Sequence, residues 1–236
     1  MSEMSKVTQP YHTVLFDMDG TLLDLAFDNY IWMQLVPEIW AQQQQLDLIT
    51  AKQRLYQFYL THQGSLNWYS SQFWQQQLGI DVLALQQHHQ DKIAPRPFCF
   101  ELLQQLRSQN IACWLVTNAD THTLALKLKN VDLSPYFDII ISSETLGHPK
   151  EAQKFWQNLQ QRHPFDAKSS ILVDDNYDVL ASAKQYGIGK MISILQPDSS
   201  HSRTELNADY QHLNQLTELL NFISPAPISI KTTALD

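Results

Sequence analysis

Two cysteines, Cys99 and Cys113, are all that this chain of 236 residues contains. Their separation fits neither a zinc site nor a redox pair, so both read as reduced thiols in or near the core, which suits a cytoplasmic setting. Positive charge is also in short supply: 16 Lys and Arg stand against 24 Asp and Glu, for a net charge of −8 and a pI near 5.5. That balance argues against a nucleic-acid backbone or an anionic membrane as the main partner. No apolar run approaches the length of a membrane span. The polar start, Met1 to Pro10, lacks the apolar centre of a signal peptide. What remains is a chain that is 44% hydrophobic, enough for one mid-sized domain or a core domain carrying an insert.

The stretch that organises the rest is Val14-Leu15-Phe16-Asp17-Met18-Asp19-Gly20-Thr21. The apolar run from Thr13 to Phe16 predicts a short buried strand, broken at once by acidic residues and glycine. In an open parallel sheet the carboxyl ends of the strands face the crevice where ligands bind. Alternation would aim Asp17 and Asp19 the same way, unless the backbone bends after Asp17. Two like charges so close favour a hard divalent cation between them. A carboxylate there can also act as a nucleophile and form an aspartyl-phosphate. The plainer alternative is that both are turn and helix-cap residues.

From Phe27 to about Ile93 the pattern is helical, with no strand signal. Ile31, Leu35, Ile39 and Trp40 form one stripe, which Pro37 is expected to bend or break. Leu55, Phe58 and Tyr59 form a second, and Trp68, Phe73, Trp74 and Leu78 a third. Leu83, Leu85 and Ile93 suggest a weaker fourth. An insert of this size is large for a crossover and reads as a cap. Alternation of strands and helices then returns. Strands are expected at 111–116, 138–141, 171–173 and 191–195, and helices at 98–109, 121–129, 151–161, 177–186 and 206–222. The tail from Ser224, with two prolines and no apolar period, reads as disordered.

Three later motifs could carry chemistry. Thr117-Asn118 ends the second core strand just before a helix, where a phosphate oxygen could meet a hydroxyl, an amide and free backbone N–H groups. The same pair is also an ordinary cap. Lys150 follows Gly147-His148-Pro149 and enters a helix, an unfavourable place for a cation unless an anion is near. Asp174-Asp175-Asn176 repeats the opening logic: an apolar strand, Ile171 to Val173, ending in paired acids. Brought together by a parallel sheet, these acids and the first pair demand a cation.

The order Asp17-x-Asp19-Gly20-Thr21, Thr117-Asn118, Lys150, Asp174-Asp175 resembles the four motifs of the haloacid dehalogenase superfamily of phosphotransferases. The likeness covers roughly residues 12 to 195. It implies an α/β fold, a doubly wound parallel sheet formed by 11–25 and 94–223, with an all-helical cap at 26–93 and flexible ends at 1–10 and 224–236. It also implies Asp17 as nucleophile, Asp19 as general acid and base, and Lys150 and Thr117 as contacts to phosphate. Mg²⁺ would be held by Asp17, by Asp175 with Asp174 beside it, and by Asp19 through its backbone carbonyl. A halide-displacing activity is disfavoured, because that branch lacks the second carboxylate. Leu23-Asp24-Leu25-Ala26-Phe27-Asp28-Asn29-Tyr30, Leu35-Val36-Pro37-Glu38, Leu66-Asn67-Trp68-Tyr69, Gly147-His148-Pro149-Lys150-Glu151 and Gln196-Pro197-Asp198-Ser199 resemble the bacterial GMP/IMP nucleotidases of that superfamily. This narrower likeness implies a nucleoside monophosphate as substrate; Asn118, with Thr117, is a candidate contact to its phosphate, and Trp68 a candidate for stacking on its base. Phe27, Tyr30 and Tyr69 are further candidates for stacking on a purine. A phosphatase for a sugar phosphate or phosphoglycolate is the alternative, and a phosphomutase a more distant one.

Overall fold

The computed structural model describes residues 11–223, so the expected loose ends at 1–10 and 224–236 lie outside the described residues. Six short strands form one sheet: β1 (Thr13–Phe16), β2 (Ala112–Thr117), β3 (Ile139–Ser142), β4 (Ser170–Val173), β5 (Lys190–Ile194) and β6 (Gln211–Leu213). Their order is β3-β2-β1-β4-β5-β6, and every pairing is parallel. The central strands β1, β2 and β4 are buried on both faces, and this is why they stand out as nearly continuous apolar runs. Alternation splits them between two cores. Val14, Phe16, Cys113, Leu115, Ile171 and Val173 pack on one face, and Leu15, Trp114, Val116 and Leu172 on the other. Both cysteines are free and buried, and burial pushes their thiols up to about 12, so neither offers a ready thiolate.

The strand order reverses between β1 and β4, where an open sheet of this kind leaves its ligand crevice. Register fixes what lies at that crevice. Phe16 stands opposite both Leu115 and Val173, so β1, β2 and β4 end nearly level. Asp17 N–H donates to the Val173 carbonyl at 2.9 Å, and Asp174 N–H to Ile192 at 3.1 Å. The acids at the ends of β1 and β4 are therefore neighbours by backbone pairing alone.

Between β1 and β2 the chain makes helices only: Ala26–Tyr30, Ile31–Leu35, Val36–Gln44, Leu48–Leu60, Leu66–Tyr69, Ser71–Leu78, Val82–His88 and a short 3₁₀ turn, Gln90–Lys92, in the insert, then Cys99–Ser108, which leads into β2. Three of them start on side-chain caps, from Asp47 to Thr50 N–H, Ser70 to Phe73 N–H and Asp81 to Ala84 N–H. The insert leaves and rejoins the sheet at one place: Asp24 N–H donates to Ala94 and Arg96 N–H to Leu22. Its aromatic interior, Trp32, Tyr59, Trp68 and Trp74, packs edge to face.

Two expectations need correction. Pro37 does not break its helix, because a wider π turn, Ile31–Leu35, precedes it and Pro37 enters the first turn of Val36–Gln44, where a missing N–H matters least. The last helix, expected over 206–222, is instead strand β6 followed by a 3₁₀ segment, Leu216–Phe222. Leu213 is buried as a sixth strand residue, and pairing with β5 outweighs the weak helical spacing.

One close approach is testable. A Cβ on Gly189 would lie 1.9 Å from the Lys168 carbonyl oxygen, so the backbone itself must shift. Gly189→Ala should lose about 1–3 kcal/mol of stability by overpacking, read as a lower midpoint in urea unfolding with the slope unchanged.

Candidate active site

Lys150 sits fully buried at the crevice with its Nζ 2.5 Å from Asp17 Oδ1 and 2.7 Å from Asp174 Oδ2. Its backbone is held at both ends: its N–H donates to Asn118 Oδ1, and its carbonyl accepts from Trp156 Nε1, each at 2.9 Å. The helix that follows begins at Gln153, not at Glu151, because Pro149 to Ala152 closes a turn of its own. Burial works against the ammonium, but Asp17 and Asp174 outweigh it and hold Lys150 above the ordinary lysine range. Burial likewise pushes Asp17 well above the usual carboxylate range. Lys150 opposes that shift, and Asp174, Asp175 and Asp19 add to it.

Asp175 completes the crowd. Asp17, Asp174 and Asp175 bring ligand oxygens within 4.8 Å of one another. Burial, then Asp174, pushes Asp175 up to about 7, against Arg203 and Lys150. Asp174 already spends Oδ2 on Lys150 and Oδ1 on the Asn176 N–H, at 3.0 Å. The Asp175 carboxylate accepts no hydrogen bond among the described residues, and Gly20 lies directly against it. A Cβ on Gly20 would meet Asp175 Cγ and Oδ2 at 2.7 Å, and its φ of +82° also favours glycine. Hard carboxylate oxygens crowded with too little positive charge are a donor set that fits Mg²⁺.

Asp19 faces elsewhere. The chain bends after β1, and Asp19 Oδ1 lies 2.7 Å from Lys127 Nζ, on helix Thr121–Asn130. Lys127 also reaches both oxygens of Asp28 in the helical insert, at 2.7 and 2.8 Å. Sequence reading missed Lys127, and it met Asp28 only within the string Leu23 to Tyr30, with no role. The signal was a lysine on the buried stripe of that helix, four residues after Thr123 and three after Leu124, where a solvated lysine does not belong.

A cavity of about 320 Å³ runs from these acids up between Trp32, Tyr59, Trp68 and Trp74 of the insert. Thr117 lines it; its Oγ1 accepts from Ala119 N–H at 3.0 Å, leaving the hydroxyl proton to donate. Asn118 is a wall residue whose Oδ1 accepts from Lys150 N–H and whose Nδ2 donates one N–H to Glu151 Oε2 at 3.0 Å, leaving its second N–H to donate. Trp68 lines the cavity while its ring packs against Tyr59 and Trp74. Tyr69 is there too, donating to Glu151, whereas Phe27 and Tyr30 are not among the lining residues.

With this geometry in view, the likeness to known proteins is specific. The model of the haloacid dehalogenase-like hydrolases matches residues 14–192. The chain belongs to that family. It is 37% identical over 191 residues to the GMP/IMP nucleotidase YrfG of Escherichia coli, covering 81% of this chain and 86% of that protein. In three dimensions it resembles a HAD phosphatase from Thermococcus onnurineus, with a TM-score of 0.69 and 23% identity over 89% of this chain and 98% of that one. It also resembles the HAD-hydrolase YfnB of Bacillus subtilis, solved bound to magnesium, with a TM-score of 0.62 and 20% identity over 91% and 99%. The enzyme is a HAD-family phosphatase, built on the parallel sheet of that fold.

The Gly20–Asp175 contact makes a sharp test. Gly20→Ala should lower turnover of any phosphate ester by roughly a hundredfold, the scale of an ångström's misplacement at a reacting centre, with the circular dichroism spectrum unchanged. Wild-type turnover would show that Asp175 has no part in the site.

Proposed function

We propose that this phosphatase hydrolyses purine nucleoside 5′-monophosphates, GMP and IMP, through an aspartyl-phosphate on Asp17 and with Mg²⁺. The observation that carries the chemistry is the Asp17 carboxylate, with Oδ1 engaged by Lys150 and Asp175 beside it, at the floor of a cavity walled by aromatic rings. The 37% identity to a GMP/IMP nucleotidase supports the substrate assignment. Residues 26–93 act as the cap that selects substrate, and the two buried thiols suit a cytoplasmic setting.

In this reading the phosphate dianion sits against Lys150 and the Thr117 hydroxyl. Asp17 uses its free oxygen to attack phosphorus in line. Asp19 gives its proton to the departing ribose oxygen, then takes one from the water that breaks the acyl-phosphate. Asp17 and Asp175, with Asp174 behind them and the Asp19 carbonyl, would hold Mg²⁺, which when bound offsets the repulsion between carboxylate and phosphate. Asn118 positions Lys150 and Glu151, and its remaining N–H joins the Thr117 hydroxyl in reaching the phosphate.

Removal of divalent ions with EDTA should stop turnover; Mg²⁺ should restore it, and Ca²⁺, larger and with more ligands, should restore it poorly. Full activity after exhaustive chelation would contradict the metal assignment. Specificity is checked with a panel of nucleoside monophosphates, sugar phosphates and phosphoglycolate. GMP and IMP should lead. Trp68→Ala should lower their kcat/KM by roughly tenfold, the loss of one stacking contact, and change p-nitrophenyl phosphate hydrolysis much less. If sugar phosphates lead in the wild type, the nucleotidase reading is wrong.

A further inference from the structure

Lys127 is as deeply buried as Lys150, yet it does not touch Asp17, Asp174 or Asp175. A buried ammonium is costly, and an apolar residue of its length would commonly serve stability as well. What Lys127 holds is two carboxylates from different parts of the chain. Asp28 accepts with both oxygens, from the helix at the start of the insert. Asp19 lends only Oδ1, in an ion pair at 2.7 Å whose geometry is not that of a hydrogen bond. That oxygen is sealed from solvent, while the Asp19 side chain as a whole keeps 18% of its exposure and lines the cavity. One Asp19 oxygen is therefore pinned and the other presented. The ring of Phe27 covers the ammonium at 5.6 Å.

We propose that Lys127 is a positioning residue for proton transfer. By fixing Asp19 Oδ1 it aims the second oxygen at the leaving oxygen of the ester and later at water, and Asp28 ties that aim to the seating of the insert's first helix. The proposal rests on Asp19 as the proton-transfer group. In the first step the Asp19 proton moves to the ester oxygen as the P–O bond breaks. In the second Asp19 takes a proton from water as water oxygen bonds to phosphorus and Asp17 leaves. An untethered carboxylate still does both, but samples the productive rotamer less often.

The test is a double-mutant cycle of Lys127→Met and Asp19→Asn in the full-length protein, using p-nitrophenyl phosphate and GMP. Asp19→Asn alone must slow turnover; if it does not, the role of Asp19 is wrong and the proposal falls with it. Given that, Lys127→Met should lower kcat for GMP by roughly tenfold or more, a part of what a general acid–base contributes, with KM changed less than about threefold. Rapid quench with p-nitrophenyl phosphate, whose leaving group needs little protonation, should show a near-normal burst and slow breakdown of the phosphoenzyme. On the Asp19→Asn background Lys127→Met should add almost nothing. Additive losses, or a raised KM with kcat intact, would mean that Lys127 binds substrate or only supports the fold, and would overturn the proposal. Should Lys127→Met fail to fold, Asp28→Asn, which leaves Lys127 and Asp19 in place, must show a smaller loss of the same kind and the same non-additivity. Purely additive behaviour there contradicts the proposal equally.

Discussion

The contact on which the rest of this molecule depends is the buried ammonium of Lys150 between Asp17 and Asp174. Charges taken out of water are tolerated only when geometry and extra hydrogen bonds compensate them. Much of the local structure supplies that geometry. Backbone pairing brings the ends of β1 and β4 level, and Asn118 and Trp156 clamp the lysine's backbone N–H and carbonyl. Positive φ at Gly20 and its missing Cβ let Asp175 close in from the side. The carboxylates still outnumber the ammoniums there, an excess of negative charge that a hard divalent cation would offset.

The helical insert answers a different demand. A phosphate site alone does not distinguish one ester from another, so selection falls to whatever covers it. Here the cover is an aromatic cluster tied to the sheet domain by a few polar links: Tyr69 to Glu151, the Ser71 N–H to Asp120, and Asn29 to Asp198 at 2.5 Å. Two of these links end on or beside a loop that also positions the site. Glu151 is the neighbour of Lys150, and Asp120 caps the helix that carries Lys127. Seating of the insert and alignment of the acids are thus parts of one hydrogen-bonded arrangement.

The sheet and its acids were legible in the sequence because both are local signals. A parallel strand covered on both faces reads as an apolar run, and the acid that ends it marks the sheet's ligand-binding edge. Lys150 was legible as an exception to helix electrostatics. Lys127 was not, since its partners lie 108 and 99 residues away in sequence (127 − 19 and 127 − 28), and only the fold makes an apolar-stripe lysine meaningful. Pro37 misled because the π turn that accommodates it depends on packing inside the insert. The end of the chain misled for a related reason: three residues join β5 as a strand through hydrogen bonds that no spacing of side chains records. Asn118 was legible as a site residue; the fold adds that its side chain also holds the loop of Lys150.

The central claim is that Asp17 becomes covalently phosphorylated, and acid quench during turnover of a ³²P-labelled phosphate ester tests it most directly. The account predicts label bound to the protein, released by hydroxylamine as an acyl-phosphate is, located by proteolysis in the peptide containing Asp17, and absent from Asp17→Asn. Rapid turnover with no label at any quench time, or label on another residue, would contradict it.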